Sequence, residues 1–114
     1  VDVILVDTDG NCSELIPLFI EGGVTGMFPF EVQSGMDVKK VRKKYPDLQI
    51  IGGINKRVLT KDKNVIEREV MNIVPDLLQK GGFIPSIDHL VHPEVPLKNY
   101  VFYLDLLKEI YGLK

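Results

Sequence analysis

The sequence predicts an α/β fold of four β-α units built around a parallel sheet. Four short apolar runs alternate with four segments whose apolar residues recur at helical spacing. Each run ends in a polar cluster: Asp7 to Gly10, Pro29 to Glu31, Gly53 to Arg57 and Ser86 to His89. The linkers are short and no low-complexity stretch divides the 114 residues, so 1–114 reads as a single domain. Right-handed crossovers put all four strand ends on one face. Parallel α/β proteins place their chemistry on that face. Periodicity alone leaves open a small doubly wound sheet or half of a closed barrel.

The first strand is the apolar run Val3 to Val6, ended by Asp7, Thr8, Asp9 and Gly10. A nearly continuous apolar run suits a parallel strand buried on both faces. Asn11 or Ser13 caps the following helix, and Asn11 with Glu14 has capping-box spacing. Leu15, Ile16, Leu18 and Phe19 form its apolar face, Pro17 falls in its first turn, and Gly22–Gly23 stops it. The second strand is Val24 to Phe30, and the chain leaves the sheet near Pro29. Ser34 or Asp37 caps the next helix. Val38, Val41 and Tyr45 are its stripe, and Pro46 and Asp47 end it.

Leu48 to Ile51 is the third strand, with Gly52–Gly53 following it, a pair that permits close backbone approach or unusual dihedrals. Asn64 with Glu67 repeats the capping-box spacing ahead of a helix through Ile66, Val70, Ile73, Val74, Leu77 and Leu78. Pro75 removes one of its hydrogen bonds and bends it. Phe83, Ile84 and Ile87 mark the fourth strand. A stiff loop from Asp88 to Pro96 leads to a helix from Leu97 to Tyr111, with Tyr100, Leu104, Leu107 and Tyr111 as its buried stripe and Gly112 as its stop.

Composition narrows the function classes. Fourteen basic against sixteen acidic residues give a net charge of -2, which offers no footprint for nucleic acid or an anionic membrane. The basic run from Lys39 to Lys44 reads as a solvated helix face. One cysteine, Cys12, excludes a disulfide framework within the chain. No apolar stretch reaches membrane-spanning length and no signal peptide is visible, so a cytoplasmic, reducing compartment is expected. The chain opens inside an apolar run without methionine, which leads to the expectation of a piece of something larger.

The polar strand ends supply the candidate site. Asp7 and Asp9 are two apart, so in an extended stretch they face the same side. One suits acid-base or ligand chemistry and the other a supporting or capping role. Glu31 ends an apolar strand and must be paired, hydrated or metal-bound to avoid a desolvation cost. An ion pair with Arg57 is the structural option. Arg57 offers a bidentate grip on a substrate carboxylate, and Lys56 beside it points into solvent. His89 suits proton transfer near neutral pH. With Glu31 and an aspartate of the first strand end it also makes an N/O metal set. His92 is a loop anchor. Cys12, near a helix start, has a position that can lower a thiol pKa. No P-loop, dinucleotide or nucleophile-elbow motif occurs.

Asp9 to Asn11 with Glu14 to Pro17, Pro29 to Asp37, Gly52 to Arg57, Gly82 to His89 and Asn99–Tyr100 together resemble the uroporphyrinogen decarboxylase superfamily. The resemblance covers essentially the whole chain. It implies the C-terminal half of a TIM (β/α)8 barrel, with a cleft at the C-terminal strand ends that a missing half-barrel or a homo-oligomer completes. For the decarboxylase branch it implies carboxyl removal from an anionic tetrapyrrole without a cofactor. Asp7, Asp9 and His89 would be catalytic there, with Glu31, Asn55 and Arg57 binding substrate. For the methyltransferase branch it implies zinc and a corrinoid protein partner. That branch draws its zinc ligands from a His-x-Cys pair and a distant cysteine. Cys12 stands alone with no histidine two residues before it, so this chain departs from that pattern.

Overall fold

The computed structural model describes residues 1–112. Four strands, β1 (Leu5–Thr8), β2 (Gly26–Pro29), β3 (Gln49–Ile54) and β4 (Phe83–Ile87), alternate with four helices. These are α1 (Ile16–Glu21), α2 (Val38–Lys44), α3 (Lys63–Lys80) and α4 (Leu97–Ile110). Two short 3-10 helices, Val32–Ser34 and Lys56–Thr60, follow β2 and β3. The sheet is wholly parallel in the order β1-β2-β3-β4. This is an α/β fold of four β-α units, consistent with half of a TIM barrel.

Register separates two sheet faces. Val6 pairs with Met27, Met27 with Ile50 and Ile50 with Phe83. Met27, Ile50 and Phe83 are buried with Ile66, Val70, Val74 and Leu77 of α3 and Tyr103, Leu106 and Leu107 of α4. This is the helix-covered face and the core. On the opposite face Leu5, Asp7, Phe28, Ile51 and Ile84 are exposed or half-buried, and Ile84 reaches 58% exposure.

The helix starts show where polar spacing misleads. Asp37 caps α2 by accepting the Lys39 N–H at 2.9 Å. Asp62 rather than Asn64 caps α3, taking the Val65 N–H at 3.0 Å. No side chain caps α1; Asn11 instead takes the Ser13 N–H and hydroxyl in a turn before it. Its apolar face is also narrower than the spacing predicts: Ile16 is buried, whereas Leu15 and Leu18 are exposed. The α4 stripe is rotated, with Tyr103, Leu106 and Leu107 buried and Tyr111 exposed. Pro75 lies inside α3, which continues past it to Lys80.

Gly52 and Gly53 lie within β3, not after it. Both have positive φ, 116° and 84°. A Cβ on Gly52 would stand 2.0 Å from the Pro29 carbonyl oxygen, and one on Gly53 would stand 2.5 Å from a Val38 methyl. Only glycine lets β3 lie this close to β2 and α2.

Arg42 corrects the reading of the basic run. It is 4% exposed, under the sheet, and not on a solvated face. Its guanidinium donates to the carbonyls of Tyr45 at 3.1 Å, Pro46 at 2.9 Å, Leu48, and Gly82 at 2.7 Å. Helix α2 is capped at Tyr45, and Arg42 ties the carbonyls of the turn that follows, Tyr45 and Pro46, to the entries of β3 at Leu48 and of β4 at Gly82. Burial lowers its pKa from the ordinary arginine value, with Asp47 opposing the shift. An arginine nevertheless stays charged.

Candidate functional site

The site is built on the carboxyl ends of the strands, where Asp88 fixes the frame. Asp88 follows β4 and is 1% exposed. Its carboxylate accepts the Val32 N–H at 2.7 Å and the Lys56 N–H at 2.9 Å. Those two residues open the two 3-10 helices, whose first amides have no partner inside the helix. One buried anion therefore ties together the ends of β2, β3 and β4. Asp88 also receives a backbone link to β3, since its N–H donates to the Ile54 carbonyl at 2.8 Å.

Glu31 secures the remaining strand end. It is half-buried and accepts the Gly10 N–H at 2.8 Å, joining the turn after β1 to the end of β2. The expected ion pair with Arg57 does not form; among the described residues the one ion pair is Lys80 with Asp76, at 3.2 Å. The Gly10 amide satisfies the Glu31 carboxylate in its place. Beside Glu31, buried Phe30 has φ of 60°, a left-handed conformation that a bulky residue rarely adopts. Strain of this kind concentrates at functional sites.

On this frame a cleft of about 420 Å³ opens, lined by Asp7 and Asp9 of the β1 end, Phe28 and Pro29 of β2, and Ser86, Ile87, His89 and Leu90 at the end of β4. The fold thus brings Asp7, Asp9 and His89 from opposite edges of the sheet to one cleft. All three are exposed, so none is consumed by the core. The adjacency of Asp88 and His89 explains the division between them. Asp88 turns inward to hold backbone, and His89 is left at the cleft.

The other predicted residues stand elsewhere. Asn55 accepts the Arg57 N–H at 3.0 Å and the Gln33 side-chain amide at 2.7 Å, so its carbonyl oxygen is engaged in capping the second 3-10 helix. Arg57 opens into a separate pocket with Lys56, Thr60, Lys61, His92 and Glu94. Lys56 is half-buried, not a free solvent group. Among the described residues no group of three or more His, Cys, Asp or Glu is placed to hold a metal ion. Glu31, His89 and an aspartate therefore do not assemble as a ligand set. Cys12 is buried, and desolvation pushes its thiol up from the ordinary value, against activation as a nucleophile.

Two supporting residues lie outside the expected set. Glu69 of α3 accepts the Asn55 N–H at 3.1 Å. Burial raises its carboxyl pKa, the Asn55 amide opposes the rise, and the nearby charges of Asp88 and Asp37 add to it. Asn99, buried at the start of α4, donates to the Leu59 carbonyl at 2.7 Å and the Lys61 carbonyl at 2.9 Å. Asn99 thus anchors the second 3-10 helix. No helix among the described residues is long and apolar enough to cross a membrane.

Comparison with known proteins adds three findings. The family model described as uroporphyrinogen decarboxylase matches residues 8–110. A protein named uroporphyrinogen decarboxylase from Hydrogenobaculum sp. (strain Y04AAS1) is 29% identical over 76 residues, which is 66% of this chain and 22% of that relative. The aligned stretch is thus about a fifth of that relative's length. No solved structure matches the chain.

Proposed function

The chain belongs to the uroporphyrinogen decarboxylase family, and on that premise we propose that it forms the C-terminal half of a barrel enzyme removing carboxyl groups from an anionic tetrapyrrole. The observation that carries this reading is the shared cleft of Asp7, Asp9 and His89 at the carboxyl strand ends. Strands outside these four complete the rim. Two facts support that completion. The sheet face away from the helices is uncovered, although parallel strands are ordinarily buried on both faces. The chain also exposes 7119 Å², whereas a compact monomer of its mass exposes about 6,300 Å².

The chemistry asks for a mobile proton and for charge control. A pyrrole ring carbon accepts a proton, and the ring becomes an electron sink. The bond to the side-chain carboxylate then breaks, its electron pair moves into the ring and carbon dioxide leaves. A second proton is delivered to the exocyclic carbon as the ring proton departs. His89 suits the transfers because imidazole changes charge near neutral pH. Asp7 and Asp9, facing the same cleft, balance the cationic ring that forms on protonation.

The test is carbon dioxide release from uroporphyrinogen by the natural-length protein. His89→Ala and Asp7→Asn are each expected to lower the rate by about 10²- to 10⁴-fold. Their unfolding midpoints should match the parent because both side chains are exposed. A parent protein that releases no carbon dioxide, or a His89→Ala variant of full activity, would overturn the reading.

A further inference from the structure

The second pocket, about 350 Å³, stands beside the cleft at the same end of the sheet. It is lined by Lys56, Arg57, Thr60 and Lys61 of the second 3-10 helix region and by His92 and Glu94 of the loop after β4. That loop divides the two sites, giving His89 and Leu90 to the cleft and His92 and Glu94 to the pocket.

Three permanent cations and an imidazole face one carboxylate here. None of these cations is in an ion pair, since among the described residues the one pair is Lys80–Asp76. Glu94 therefore does not neutralise them at contact distance. The backbone that carries the cations is held in place. The Lys56 N–H is fixed by buried Asp88, the Arg57 N–H by Asn55, and the Lys61 carbonyl by buried Asn99 of α4. The Arg57 carbonyl also accepts the Thr60 hydroxyl at 2.8 Å. Like charges gathered on a fixed backbone repel one another until an anion lies between them.

We propose that this pocket binds a doubly charged oxyanion, a phosphate or paired-carboxylate group, through Lys56, Arg57, Lys61 and His92. With His92 neutral, three cations less Glu94 leave two uncompensated positive charges, which matches a dianion. Arg57 presents the fork that grips two oxygens of one group, and the lysines act as point charges around it. No aromatic side chain lines the pocket, so it offers no stacking platform for a base. The charge of this pocket does not depend on which reaction the neighbouring cleft performs.

Inorganic phosphate and succinate are the probes, titrated into the natural-length protein at 0.15 M salt by calorimetry, with His92 followed by NMR. Saturable one-site binding is expected for at least one probe, with shifts confined to His92 and the segment from Lys56 to Lys61. Tighter phosphate binding assigns a phosphate-bearing ligand, and tighter succinate binding a carboxylate-bearing one. The double variant Arg57→Gln/Lys61→Gln should weaken binding at least tenfold, and His92→Asn should weaken it independently. Lys43→Gln, an exposed cation on α2, should leave it unchanged. Failure of both probes to saturate would overturn the proposal. So would parent-like binding by the double variant, or an equal loss in Lys43→Gln, which would mark diffuse charge attraction.

Discussion

Each end of the sheet is held by one buried charge, and the two charges have opposite signs. Beneath the strand entries Arg42 donates to four carbonyls. At the strand exits Asp88 accepts two amides. The sign follows from the backbone nearby. The turn after α2 and the strand entries beside it turn carbonyls toward a donor, whereas the starts of the two 3-10 helices leave amides that need an acceptor. The number of bonds differs as well. Arg42 fixes a closed foot, with only its Nε lacking a partner. Asp88 fixes a platform whose next residue, His89, remains free at the cleft. Similar stitching therefore serves stability alone at one end and presentation of side chains at the other.

Removing the foot should have the largest effect. Arg42→Ala leaves the Pro46 and Leu48 carbonyls without a donor, while those of Tyr45 and Gly82 keep the Leu48 and Ile50 amides; it should destabilise by about 2–4 kcal/mol, measured by denaturant unfolding. A loss under 1 kcal/mol would show that the carbonyls find water and that the foot is not a true counterpart of Asp88. At the platform, Asp88→Asn keeps one acceptor but turns an NH₂ toward a backbone N–H. A cost of about 2–3 kcal/mol is expected. Activity should fall further than stability explains, because the His89 backbone is displaced. Equal loss of folded population and activity would instead make Asp88 as purely structural as Arg42.

The smallest effect belongs to Glu69 beneath the platform. Its folded pKa is raised above the usual 4.5, so the folded state holds this proton more tightly than the unfolded chain does. The resulting stabilisation is complete below about pH 4.5 and disappears as pH rises through the folded pKa. Glu69→Gln keeps an oxygen for the Asn55 N–H without the charge. It should equal or slightly exceed the parent in stability at pH 7, with the advantage shrinking toward pH 4. A variant less stable than the parent at pH 7 would place the benefit of ionised Glu69 above its desolvation.

Hydrophobic period was sufficient to read four β-α units and the core of α3, because apolar spacing reports directly which face a segment buries. It also pointed to the strand ends, and the fold brings Asp7, Asp9 and His89 to one cleft. The polar stitching was not legible. Arg42 sits in a run of lysines, and nothing local distinguishes the one cation that turns under the sheet. Asp88 and His89 are adjacent polar residues whose inward and outward roles depend on where the ends of β2 and β3 lie. Glu31 looked like a partner for Arg57 because charge is visible in sequence, whereas the free Gly10 amide is not. Gly52–Gly53 signal close backbone approach in the sequence, but their place inside β3 and the neighbours that approach, Pro29 and Val38, are set by long-range contacts.

The strand order carries a kinetic consequence. Leu5 pairs with Gly26, Gly26 with Gln49 and Ile50 with Phe83, so every strand lies beside its neighbour in sequence. Each pairing closes a loop of only one helical unit, and the entropy of closure grows slowly with such lengths. The sheet can therefore assemble by accretion, one unit docking on the last, without a distant strand having to be found first. Modest contact order of this kind favours fast folding for a parallel sheet.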